Sequence, residues 1–76
     1  MVYLIAEDEK GFSVVAAHLP GVASQGKTEQ EALANIIEAF EGAFSVYKEQ
    51  GVRIPWTKTP LEPERGAVPR WVIVHA

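Results

Sequence analysis

Residues 21–28 read GVASQGKT, and that string meets the phosphate-loop pattern G-x-x-x-x-G-K-[ST] at every fixed position. In that pattern glycines let backbone N–H groups cradle phosphates, the lysine reaches the outer phosphates and the hydroxyl holds magnesium. Lys27 and Thr28 would carry that chemistry here. Other reactive groups are sparse. Glu7, Asp8 and Glu9 form an acidic run, and His18 and His75 are the two histidines. Ser13 and Ser24 have no evident partners for a nucleophilic triad. The chain has no cysteine, which removes disulfides and thiolate metal ligands.

The elements that must position these residues decide between the readings. The stretches 2–6 (VYLIA) and 12–17 (FSVVAA) are apolar and β-branched or aromatic, and the polar, glycine-ended EDEKG joins them. That pattern is a β-hairpin. Pro20 and Gly21 then interrupt it, and 22–26 makes a short edge strand. Thr28 and Glu31 have capping-box spacing, with Thr28 accepting from the Glu31 amide and Glu31 reaching back to the N–H of Thr28. Leu33, Ile36, Ile37, Phe40, Phe44 and Tyr47 recur in steps of three and four, so a helix runs over 29–50 and stops at Gly51. It would be about 33 Å long. Gly42 inside it reflects either simple tolerance or the close approach of another backbone. Residues 52–70 carry Pro55, Pro60, Pro63 and Pro69 and read as a stiff loop, and RWVIV (70–74) reads as a last strand. The expected architecture is one small α+β domain over 1–76, β-β-β-α-β, with the long helix on an antiparallel or mixed sheet.

That order argues against the phosphate loop. A true one follows a buried parallel strand and leads to a second strand bearing an acidic magnesium partner. Here HLP separates the second strand from Gly21, the only aspartate is Asp8, and RWVIVHA has no carboxylate. Neither a nucleotide nor a metal cofactor is expected, and Glu7, Asp8 and Glu9 read as a solvated turn rather than as metal ligands.

Composition narrows the partners. The chain has 76 residues, 47% hydrophobic and 22% charged, with a formal charge of −3. An acidic domain is a poor match for nucleic acid and a better one for a basic protein. Its apolar runs are too short to span a membrane, and charge comes too early for a signal peptide, so a cytoplasmic location is expected. One asparagine, one methionine and no cysteine hint at a thermophilic source. The strands are apolar on both alternating faces. One helix covers one face, so the second face calls for a homo-oligomer, most simply a dimer, or for cover by the 52–70 loop.

The stretch LPGVASQGKTEQEALANIIEAFEGAFSVYKEQGVRIP (19–55) resembles the HicB-like antitoxin family. That family carries a "dLPGc…GdT.eEAl.n..ea" block, a long helix and a "G.piP" exit. The hairpin EDEKGFSVVAA is similar too, so the likeness covers about residues 2–56. Lys27 stands where the family has aspartate, and that one departure creates the phosphate-loop match. Val22 replaces a frequent cysteine and His18 a frequent acid.

The resemblance implies a partial ribonuclease-H-like fold that inhibits a small basic RNA-cleaving toxin. Relatives often add a DNA-binding segment, for which these 76 residues leave no room, so direct nucleic-acid binding is not expected. Catalysis by the chain is not expected either, because a ribonuclease-H-type site needs clustered carboxylates and VYLIA has none. Glu7, Asp8, Glu9, His18, Leu19 and Trp56 are the candidate partner-binding residues. Trp56 either closes the core at the helix end or anchors an interface. Trp71 is either core or dimer interface. The alternative function is a stand-alone oligomeric structural or ligand-binding module without a toxin partner.

Overall fold

A computed structural model describes residues 1–75. It contains β1 (Val2–Glu7), a single 3-10 turn (Asp8–Lys10), β2 (Gly11–Ala16), β3 (Ala23–Gly26), α1 (Glu29–Gln50) and β4 (Val68–Arg70). The four strands form one sheet in the order β3-β2-β1-β4, and every neighbouring pair is antiparallel. This is the expected α+β, β-β-β-α-β architecture with a single long helix on the sheet.

Local chemistry explains the helix limits. Thr28 is extended, and its hydroxyl accepts from the Glu31 amide at 3.0 Å. The reciprocal bond differs from expectation: the Glu31 carboxylate accepts from the N–H of Lys27, at 3.2 Å, rather than from that of Thr28. At the other end Gly51 adopts φ 67°, ψ 24°. Its N–H reaches the Lys48 carbonyl and the N–H of Val52 reaches the Tyr47 carbonyl, each at 3.1 Å. Those two bonds form a Schellman motif, which satisfies the last carbonyls at the left-handed position glycine favours.

Register sets the two faces of the sheet. Leu4 pairs with Val14 and Val2 with Ala16, so these four side chains point the same way, toward the helix. They join Leu19, Val22, Ala32, Ile36, Phe40 and Phe44 in the core. Ala32, Ile36, Phe40 and Phe44 are buried along α1, while Leu33 is packed at the margin. Phe40 and Phe44 stack at 5.8 Å between ring centroids.

The opposite face carries Tyr3, Ile5 and Val15. The 52–70 loop lies over part of it, leaving a 180 Å³ pocket lined by those residues and Leu61–Glu64. The loop is pinned at the end of β2, where Leu61 donates its N–H to the Ala17 carbonyl at 2.7 Å and Thr57 to the His18 carbonyl at 2.8 Å. Tyr3 is thereby only 7% exposed. Of the two covers considered for this face, the loop supplies one within the chain itself.

The last strand departs from expectation. It spans Val68–Arg70 instead of 70–74. Pairing runs Leu4 with Val68, Tyr3 with Pro69 and Val2 with Arg70. Val2, the first residue of β1, pairs with Arg70, and among the described residues no strand pairs with 71–75.

Candidate partner-binding surface

The phosphate-loop residues sit at the junction of β3 and α1, where packing has consumed the features a phosphate needs. Glu31 places a carboxylate on the amide of Lys27, the group that would face an anion. The Thr28 hydroxyl is engaged as the helix cap. Gly26 lies against the first turn of α1, and a Cβ there would meet the backbone nitrogen of Ala32 at 2.4 Å. The glycine admits a helix, not a phosphate. Asn35 closes the junction by donating its side-chain amide to the Gln25 carbonyl at 2.7 Å.

The acidic turn abuts this junction. A Cβ on Gly11 would stand 2.4 Å from the Gly26 carbonyl oxygen, so the β1–β2 turn and the β3 end are in contact. Gly11 itself takes φ 97°, a left-handed conformation that closes the turn. Glu7, Asp8, Glu9 and Glu31 are all exposed here. Ser13 donates to a Glu7 carboxylate oxygen at 2.8 Å and steadies it. Four acidic side chains therefore crown one end of the sheet, across the Gly11–Gly26 contact.

His18, Leu19 and Trp56 occupy the other end. His18 is half-buried, and its Nδ1 donates to the Thr57 carbonyl oxygen at 2.8 Å. A carbonyl only accepts, so Nδ1 is the donor in this bond and carries a proton. Leu19 is fully buried in the core and offers no surface to a partner. Trp56 is 50% exposed. Its inner side packs on Phe40 and Phe44, with ring centroids 6.2 and 5.7 Å away. It both closes the core and presents a face outward.

These residues do not converge on one patch. Glu7 is level with Gly11 at one end of the hairpin and Val2 with Ala16 at the other. Five strand rises of about 3.3 Å separate the ends, roughly 17 Å. The acidic turn and the His18–Trp56 pair could touch one partner only across that distance.

One feature was not singled out from sequence. A groove of 570 Å³ runs past the end of α1, lined among others by Phe44, Tyr47, Lys48, Arg53, Ile54 and His75. Trp71, expected either in the core or at a dimer interface, stands 80% exposed and is not part of the core, and Ile73 is 83% exposed. Among the described residues there is no grouping of three or more histidine, aspartate or glutamate side chains able to hold a metal ion, and no helix long and apolar enough to cross a membrane.

UPF0150 protein Ta0767 of Thermoplasma acidophilum is 43% identical over 53 residues, covering 68% of this chain and 77% of the relative. The chain belongs to the UPF0150 family. No protein-family model and no solved structure matches it. On this UPF0150 protein two surface features stand apart: an acidic crown at the hairpin turn, and the half-exposed Trp56, whose neighbour Thr57 is held by His18.

Proposed function

We propose that this UPF0150 protein is a HicB-like antitoxin that binds and inhibits a small basic RNA-cleaving toxin. UPF0150 and HicB-like proteins are related, and the motif order over 19–55 supports the assignment. The observation that carries the reading is the acidic crown of Glu7, Asp8, Glu9 and Glu31, exposed on a chain of net charge −3. A carboxylate cluster attracts a basic RNA-binding surface, raises the on-rate by steering and competes for the groups that hold phosphate. The half-exposed Trp56 suits an interface anchor. In this reading the chain is an inhibitor and not an enzyme. It acts in the cytoplasm of a thermophile as a homo-oligomer, and its topology is the partial ribonuclease-H-like one.

The test is co-expression with the adjacent reading frame, then co-purification and a growth assay. Neutralisation of a toxic neighbour, with association slowing as salt rises, supports the reading. A non-toxic neighbour, or a toxic one neither bound nor neutralised, defeats it. The second reading is a stand-alone ligand-binding or structural module, favoured by the 570 Å³ groove with Lys48, Arg53 and His75 around an apolar floor. Binding of a small ligand there, without any protein partner, would select it.

A further inference from the structure

Tyr3 is 7% exposed, yet its hydroxyl has no hydrogen-bond partner among the described residues. None of their side-chain polar atoms is both fully buried and unpaired, so the hydroxyl keeps contact with open space. That space is the 180 Å³ pocket between the outer sheet face and the 52–70 loop, which Tyr3 lines. A hydroxyl so placed is a polar group without the partner that its burial calls for. Ile5, Val15 and Leu61 give the pocket apolar walls, and Glu62 and Glu64 stand on its loop side. Both glutamates are exposed, and among the described residues neither is in an ion pair. Arg65 follows them in the chain but does not line the pocket.

We infer that this pocket receives one arginine side chain of a basic protein partner. The inference rests on the reading of this chain as the inhibitor of such a protein, and it names the seat of one of the partner's side chains. Size limits the occupant. Pockets for cofactors and drug-sized ligands begin at about 300 Å³. A volume of 180 Å³ admits a side chain rather than a nucleotide.

Chemistry selects which side chain. The methylene stem of arginine suits the apolar walls. Its guanidinium carries N–H donors in a planar fork and no acceptor. The pocket offers acceptors to match, the Tyr3 hydroxyl oxygen and two carboxylates, and the Tyr3 ring attracts a cation over its face. Two carboxylates repel a phosphate, and an uncharged apolar group would leave the Tyr3 hydroxyl unpaired. The loop wall is set in advance, since the Thr57 and Leu61 amides hold it to the His18 and Ala17 carbonyls at 2.8 and 2.7 Å. Little ordering is then left for binding to do. The roles divide: the acidic crown steers the encounter, and the pocket slows dissociation.

The experiment has two arms. In the first, NMR follows the full chain as it is titrated with Nα-acetyl-arginine methylamide, its lysine analogue and its uncharged norleucine analogue. The arginine derivative should shift the signals of Tyr3, Ile5, Val15 and Leu61, and the norleucine analogue should not. Tyr3→Phe, and Glu62→Gln combined with Glu64→Gln, should each weaken that binding about tenfold, the loss of a hydrogen bond to a charged group. In the second arm, the basic neighbour is co-expressed and its binding kinetics are measured. The same variants should raise its dissociation rate about tenfold, while Glu7→Gln with Glu9→Gln should slow association and leave dissociation unchanged. Arginine binding away from the pocket, an equal response to norleucine, or tighter binding of lysine overturns the inference. So does a bound neighbour whose dissociation is indifferent to both pocket variants. A neighbour neither toxic nor bound defeats the inhibitor reading alone, and the first arm then decides the pocket. Should Tyr3→Phe lose its fold by circular dichroism, the glutamate variant carries the comparison, because those side chains are exposed.

Discussion

Gly26 and Ala32 meet so closely that a methyl group on Gly26 would lie 2.4 Å from the Ala32 backbone nitrogen. Real Cβ atoms do not approach that near. Gly26→Ala must push β3 off the first turn of α1, and overpacking against backbone should cost about 2–3 kcal/mol. Urea denaturation followed by circular dichroism measures it. A loss below about 0.5 kcal/mol would show that the contact is looser than described.

Gly42 gives the opposite case. A Cβ there meets nothing within 4 Å, and the residue is exposed in mid-helix. The close-approach explanation for this glycine is thereby excluded and tolerance remains. Gly42→Ala should stabilise the chain by about 1 kcal/mol, the difference in helix propensity. The same denaturation experiment reads it, with the midpoint moving up and the slope unchanged.

The junction that holds Gly26 also bears on nucleotides. Calorimetry with ATP and magnesium should show nothing tighter than millimolar, with or without Lys27→Ala, because the Glu31 carboxylate sits on the Lys27 amide. Micromolar binding abolished by Lys27→Ala would restore the phosphate-loop reading. Thr28→Ala, which removes the 3.0 Å cap to Glu31, should cost about 1 kcal/mol of stability.

Trp56→Ala removes an aromatic contact to Phe40 and Phe44 from a half-exposed position. About 1–2 kcal/mol of stability should be lost, less than for a fully buried aromatic. Trp56→Phe should recover most of it. If neither change alters the unfolding midpoint, Trp56 does not close the core.

The Arg70–Glu29 pair joins β4 to the helix start at 3.0 Å, with side chains 38% and 42% exposed. Solvent screens such a pair, and Glu29→Gln should alter stability by no more than about 0.5 kcal/mol at moderate salt. A larger loss that disappears at high salt would mean that the pair is better sheltered than its exposure implies.

Short-range chemistry made much of this protein legible from sequence. The helix limits follow from Thr28, the apolar spacing from Ile36 to Phe44, and Gly51, all of which act within a turn or two of the backbone. The hairpin follows from alternating apolar residues around a charged turn ending in Gly11. The sequence also marked Lys27 as suspect, since no strand before Gly21 could serve a phosphate.

Tertiary structure decided what depends on residues far apart in the chain. Whether Gly26 serves a ligand or a helix turned on the distance to Ala32. Leu19, a candidate partner-binding residue by sequence, is instead buried in the core with Ile36 and Phe40 of α1. The apolar strand pattern at 70–74 was visible, but a strand exists only where another lies beside it. The register of β4 on β1 places that end at Arg70 and leaves Trp71 and Ile73 in solvent. The acidic turn and His18 are held apart because the full length of β2 lies between them, a separation fixed by backbone rise and hairpin register rather than by any local signal.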